Sequence, residues 1–135
     1  MARVTLSLLL LLSMILSMAA GATDFIKASC SATRYPALCV QSLSVYADEI
    51  QKSPQKLAKA ALSVSLTRAR SAKAFVSNMT KIKGLKSREY QAMKDCVDEM
   101  DDTVDQLSQS VSEMGHLNKD FMWHISNVQT WAAHR

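Results

Sequence analysis

The side chains best suited to chemistry are three cysteines, Cys30, Cys39 and Cys96, three histidines, and one Asn-x-Thr triplet. Cys30 and Cys39 bracket "CSATRYPALC". In an oxidising compartment such a close pair reads as a disulfide rather than a metal or redox site. His116, His124 and His134 fall at intervals of eight and ten and make no i, i+4 pair of the kind a helix-borne zinc site uses. No glycine-rich phosphate loop and no Ser-His-acid or Cys-His arrangement stands out. The reading is therefore of a protein without metal, cofactor or catalytic centre. Asn78-Met79-Thr80 is an N-glycosylation sequon, with Asn78 the acceptor if the chain is exported.

Export is what the first residues predict. Arg3 precedes an apolar run from Val4 to Met18, and small residues follow in "AAGAT". Ala20 and Ala22 satisfy an A-x-A-like rule, which sets a signal peptide at 1–22 and a mature chain at 23–135. The alternative is an uncleaved anchor, for which the run is short. The remaining residues suit one small domain. With 6% aromatics and only 3 glycines and 2 prolines, they favour helices over turn-dense β designs.

Those residues must be positioned by helices. Residues 24–50 read as a hairpin of two short helices broken at Thr33-Arg34-Tyr35-Pro36, with Pro36 in a first turn. A Cys30–Cys39 bridge would pin the two pieces, worth about 2.5–3 kcal/mol in the chain-entropy model. From residue 53 onward the pattern is of bundle helices. Ser53 caps and Pro54 opens a long helix to about Asn78, with Leu62, Leu66, Ala69, Ala72 and Val76 in its apolar stripe, widened by Leu57, Ala61, Val64 and Phe75. A connector, Lys81 to Lys86, carries Gly84. Ser87 is the expected cap of the next helix, whose Tyr90, Met93, Val97, Met100, Val104, Leu107, Val111 and Met114 alternate steps of three and four. That is the seam of a left-handed bundle, stopped near Gly115. A fourth pattern begins near Phe121, with Ile125, Val128 and Ala132 on one face, and reaches Arg135 without a stop signal.

Charge is segregated. Lys52 to Arg88 holds ten basic residues and no acidic one, whereas Glu89 to Glu113 holds eight acidic residues against Lys94. Asp95, Asp98, Asp102 and Asp105 share an edge away from the seam, so either the basic helix or a partner protein must offset their repulsion. The basic run suits a polyanion, but it has no interleaved aromatics for stacking on bases, so nucleic acid is not an expected partner. Nor is a membrane, once the signal is removed.

Together, "FIKASCSATRYPALCVQSL", the basic helix after Ser-Pro, "CVDEMDDTVDQL" and "SNVQTW" resemble the plant pectin methylesterase inhibitor and invertase inhibitor family from about Phe25 to Trp131. The resemblance implies an all-α, up-and-down four-helix bundle with an N-terminal helical hairpin, here lacking the last helix and part of the third. It matches Cys30 and Cys39 to the pair that closes the hairpin. Cys96 matches one half of a second bridge whose other half this sequence does not encode, so it is expected as an unpaired thiol or in a disulfide-linked homodimer. The implied activity is a secreted inhibitor that packs helices over the substrate cleft of pectin methylesterase. Acid invertase, cell-wall or vacuolar, is the alternative target. Invertase inhibitors of the family carry a Pro-Lys-Phe loop that Lys119-Asp120-Phe121 echoes without the proline, which favours the esterase. Asp98, Asp102, Asp105, Gln109 and Thr130 are the expected enzyme interface. Demethylesterified pectin, a polyanion of the cell wall, is a candidate for weak retention on the basic stretch. The competing readings are a non-inhibitory truncated product, the pro-region of an esterase precursor, and an unrelated helical binding protein.

Overall fold

A computed structural model describes residues 7–8, 21–116 and 121–133. It is helical throughout the bundle region: α1 over 21–30, α2 (Pro36–Leu43), a 3-10 turn (Ser44–Tyr46), α3 (Ala47–Ile50), α4 (Pro54–Met79), α5 (Ser87–Met114) and α6 (Phe121–Ala133). No strand occurs among the described residues. Two compact units divide the chain, Met1–Ala61 and Leu62–Arg135.

The first unit is a folded-back hairpin. Ala22, Ile26 and Cys30 recur every four residues on α1 and are all buried, as are Leu43 and Ile50, so one stripe of α1 supplies a small core. α1 begins within the described residues at 21, two positions before the expected mature start. Thr33 stops the helix by bonding Cys30 O through both its N–H (3.0 Å) and its hydroxyl (2.8 Å). Pro36 stands in the first turn of α2, where its missing N–H costs nothing. Cys30 and Cys39 are joined by a disulfide with a Cα–Cα separation of 5.6 Å.

The hairpin leaves through a tight turn that residue types alone did not announce. Ser53 N–H donates to Ile50 O at 3.0 Å, closing a four-residue turn. Its first central residue, Gln51, lies at φ 53, ψ −116, the II′ position that favours glycine. Ser53 then caps α4 as expected, its hydroxyl accepting the Lys56 N–H at 3.3 Å.

In the second unit α5 packs on α6 and is tied to α4 by side-chain contacts. Leu66, Ser110 and Met114 are buried there. The start of α5 departs from expectation. Ser87 is its first helical residue, and the cap position falls on Lys86, whose backbone N–H donates to Glu89 at 3.0 Å. A carboxylate three residues in reaches back to the N–H of the cap residue, a different donor from the one a serine cap hydroxyl would accept. Gly115 ends the helix at φ −77, a right-handed conformation open to any residue, while Gly84 in the connector does use its freedom at φ 93. Two stripe positions, Ala72 and Phe75, face solvent on α4, and Ala132 does so on α6.

Candidate functional site

α5 has two chemically opposite faces. At 3.6 residues per turn, Asp95, Asp98, Asp102, Asp105 and Gln109 fall within an arc of about 80°, and the Met/Val/Leu seam lies on the far side. Asp98, Asp102, Asp105 and Gln109 are all exposed. Gln91 Nε2 donates to Asp95 at 2.8 Å. Among the described residues, no ion pair joins Asp98, Asp102 or Asp105 to a basic side chain.

The basic helix meets α5 elsewhere. Lys73 pairs with Asp101, and Arg70 donates to the Ser108 hydroxyl at 3.3 Å. Both contacts lie on the flank between seam and acidic edge. Rising numbers on α4 meet falling numbers on α5, so the two helices run antiparallel. In the last turn of α5, at the same angular position as Asp95, the Glu113 carboxylate accepts a hydrogen bond from His124 Nδ1. Both side chains are largely buried, and the Trp123 ring meets the imidazole edge-on with centroids 5.0 Å apart. Sequence reasoning had weighed these histidines only as metal ligands. The signal for the pair was an acid on the last turn of α5 facing a histidine on the first turns of α6. No group of three or more metal-ligating side chains occurs among the described residues.

The seam itself is only partly covered. Met114 is buried, Val111, Leu107, Val104, Met100, Val97 and Met93 are half-buried, and Tyr90 is 48% exposed. Helix lengths account for the gradient. At 1.5 Å per residue α5 is about 42 Å long and α6 about 20 Å, so α6 overlays no more than half of it.

The remaining singled-out residues are spread out. Thr130 is exposed on α6, its hydroxyl bonded to Ser126 O at 2.9 Å. No hydrogen bond joins it to the acidic edge among the described residues. Cys96 is a free, exposed thiol. Asn78 is exposed in the last turn of α4, and its carboxamide oxygen accepts Lys81 Nζ at 3.0 Å. Lys119 and Asp120 lie outside the described residues, so the Pro-Lys-Phe comparison has no structural counterpart here. No helix among the described residues is long and apolar enough to cross a membrane.

The acidic edge of α5 is exposed, lies opposite the seam, and follows a disulfide-clasped hairpin in the chain. The profile of the family described as plant invertase/pectin methylesterase inhibitor matches residues 24–134. The chain is similar to a "21 kDa protein" of Daucus carota, 50% identical over 119 residues, covering 85% of this chain and 62% of that protein. It is 47% identical to Pectinesterase inhibitor 11 of Arabidopsis thaliana over 83% of this chain and 58% of the relative. With Pectinesterase inhibitor 9 of the same plant the identity is 44%, over 96% and 70%. The chain thus spans about 60–70% of the length of these curated relatives. No solved structure matches it. The clasped hairpin, the helical second unit and a profile match over residues 24–134 have one common reading: this chain belongs to the plant invertase/pectin methylesterase inhibitor family.

Proposed function

We propose that the chain is a proteinaceous inhibitor of pectin methylesterase, exported to the cell wall, which blocks the enzyme by laying α5 and α6 over its substrate cleft. The observation that carries this is the acidic edge of α5. Asp98, Asp102 and Asp105 are exposed and without basic partners among the described residues, so their mutual repulsion is offset best by a cationic surface on another protein. Two relatives named as pectinesterase inhibitors at 44% and 47% identity support the esterase over acid invertase as target. Gln109 and Thr130 complete the interface, and no step of chemistry is required of the inhibitor.

Export rests on the signal peptide at 1–22, and the family match beginning at residue 24 supports a mature chain from Thr23. Exposure of Asn78 supports its use as a glycan acceptor. An exposed Cys96 beside the half-covered Met93, Val97 and Met100 supports a disulfide-linked homodimer in which each copy covers the other's seam. The test is a titration of Thr23–Arg135 against a plant pectin methylesterase and an acid invertase at mildly acidic pH. Saturable loss of esterase activity alone is the expected result. Loss of invertase activity alone would move the target, and loss of neither would make this chain a non-inhibitory product.

A further inference from the structure

Four of the chain's cations are grouped where the acidic edge leaves them unopposed. Lys81, Lys83, Lys86 and Arg88 fall within eight consecutive positions around the turn from α4 to α5, and all four side chains are exposed. An eight-residue segment spans at most about 28 Å, so neighbouring charges stand within a Debye length or so of one another. None forms an ion pair among the described residues. Lys81 reaches only the neutral Asn78 carboxamide, and Glu89, the nearest acid in sequence, accepts the Lys86 backbone N–H. Gly84, at φ 93, has open space around its Cβ position, so the turn presents a bare, cationic tip.

Chemistry narrows the anion. Lysine ammonium and arginine guanidinium groups both bind carboxylate and phosphate oxygens, so the cluster selects for dense negative charge on the partner rather than for one kind of oxyanion. No aromatic stands between Lys81 and Arg88 to stack on a base. We infer that this turn is a docking site for a polycarboxylate chain, the demethylesterified stretch of pectin that a pectin methylesterase leaves behind. The choice of a polycarboxylate, and of this polysaccharide, rests on the proposed target, whereas the binding of a polyanion to the four unpaired cations does not. De-esterification turns a neutral ester into a carboxylate, so such a site concentrates the inhibitor where the enzyme has already acted and leaves it free of untouched, fully methylated pectin. The turn holds none of the acidic-edge residues, so one chain can hold polysaccharide and enzyme together.

The test is retention of the mature chain on immobilised polygalacturonate, on highly methylesterified pectin and on anionic phospholipid vesicles, over a range of salt and without enzyme. The expected result is salt-sensitive binding to polygalacturonate only. The variant K81Q/K83Q/K86Q/R88Q should bind at least tenfold more weakly at low salt. Its salt slope should be flatter by about 3, by analogy with single-stranded polyanions at ~0.7 per contact. Circular dichroism and inhibition of the esterase on a soluble substrate at high salt should match the parent. Equal binding to methylesterified pectin, preference for vesicles, or undiminished retention of the variant would each overturn the inference. A parent chain that binds polygalacturonate but inhibits nothing would preserve the docking site while overturning the proposed target.

Discussion

Individual side chains divide into those that hold the unit together and those held out from it. Asp98, Asp102 and Asp105 are of the second kind. Charge reversal of Asp102 to Lys should weaken esterase inhibition at least tenfold with little change in melting temperature, because an exposed charge contributes little to the fold and much to electrostatic complementarity. A matched loss of melting temperature and inhibition would instead make the residue structural. Ser110 is of the first kind. It is fully buried, and its hydroxyl already bonds Gln106 O at 2.9 Å within the helix. Replacing it with Leu should overpack the core at a cost of about 1–3 kcal/mol, whereas Ala should cost under about 1 kcal/mol. Chemical unfolding of the two variants checks the contrast. The seam pattern passes over Ser110 because a polar type off the three-four rhythm carries no burial signal. Only the approach of its neighbours makes it core.

Helices and turns set the next scale. The hairpin depends on the Cys30–Cys39 clasp, and C30S/C39S should lose about 2–3 kcal/mol of stability in urea unfolding under non-reducing conditions. Its exit turn places Gln51 where glycine is favoured. Q51G should therefore raise stability by roughly 1 kcal/mol, the relieved backbone strain outweighing the added unfolded-state entropy. A lower melting temperature would show that the Gln51 side chain has a compensating role. The α5–α6 hairpin leans on a different device. Glu113 and His124 are mostly shielded from water, so Glu113→Ala, which strands the imidazole, should cost about 1–3 kcal/mol, and His124→Gln, which retains a donor, should cost less. The sequence placed an acid and a histidine at facing helix ends but could not pair them, for a plain reason. The pair joins positions eleven apart across a connection whose geometry no local propensity encodes.

For the whole molecule the decisive features are charge segregation and partial cover. Ten basic residues run from Lys52 to Arg88 and eight acidic ones from Glu89 to Glu113, yet only Lys73 and Arg70 bridge α4 to α5 among the described residues. Asp98, Asp102 and Asp105 on one side, and Lys83, Lys86 and Arg88 on the other, form no ion pair among the described residues. The seam of α5 is half-covered for much of its length, and Cys96 opens beside it. Under non-reducing conditions the mature chain should run partly as a dimer, and C96S should run as a monomer. A monomeric parent chain at micromolar concentration, with Cys96 titrating as a free thiol, would remove the homodimer from consideration.

By itself the sequence determined the all-helical class, the bounds of α4 and α5 to within a residue or two, the start of α6, the Ser53 cap and the gathering of the acidic residues on one arc of α5. Each is written in local spacing: a 3.6-residue period, a capping side chain before a proline, like charges on one arc. Tertiary structure alone decided which charges are spent and which remain. Asp101 is three residues from Asp98 and of the same type, but the antiparallel placement of α4 turns Lys73 toward one and leaves the other in solvent. It also decided how far the seam is covered, because burial depends on the length of the helix laid against it and not on the regularity of the pattern beneath.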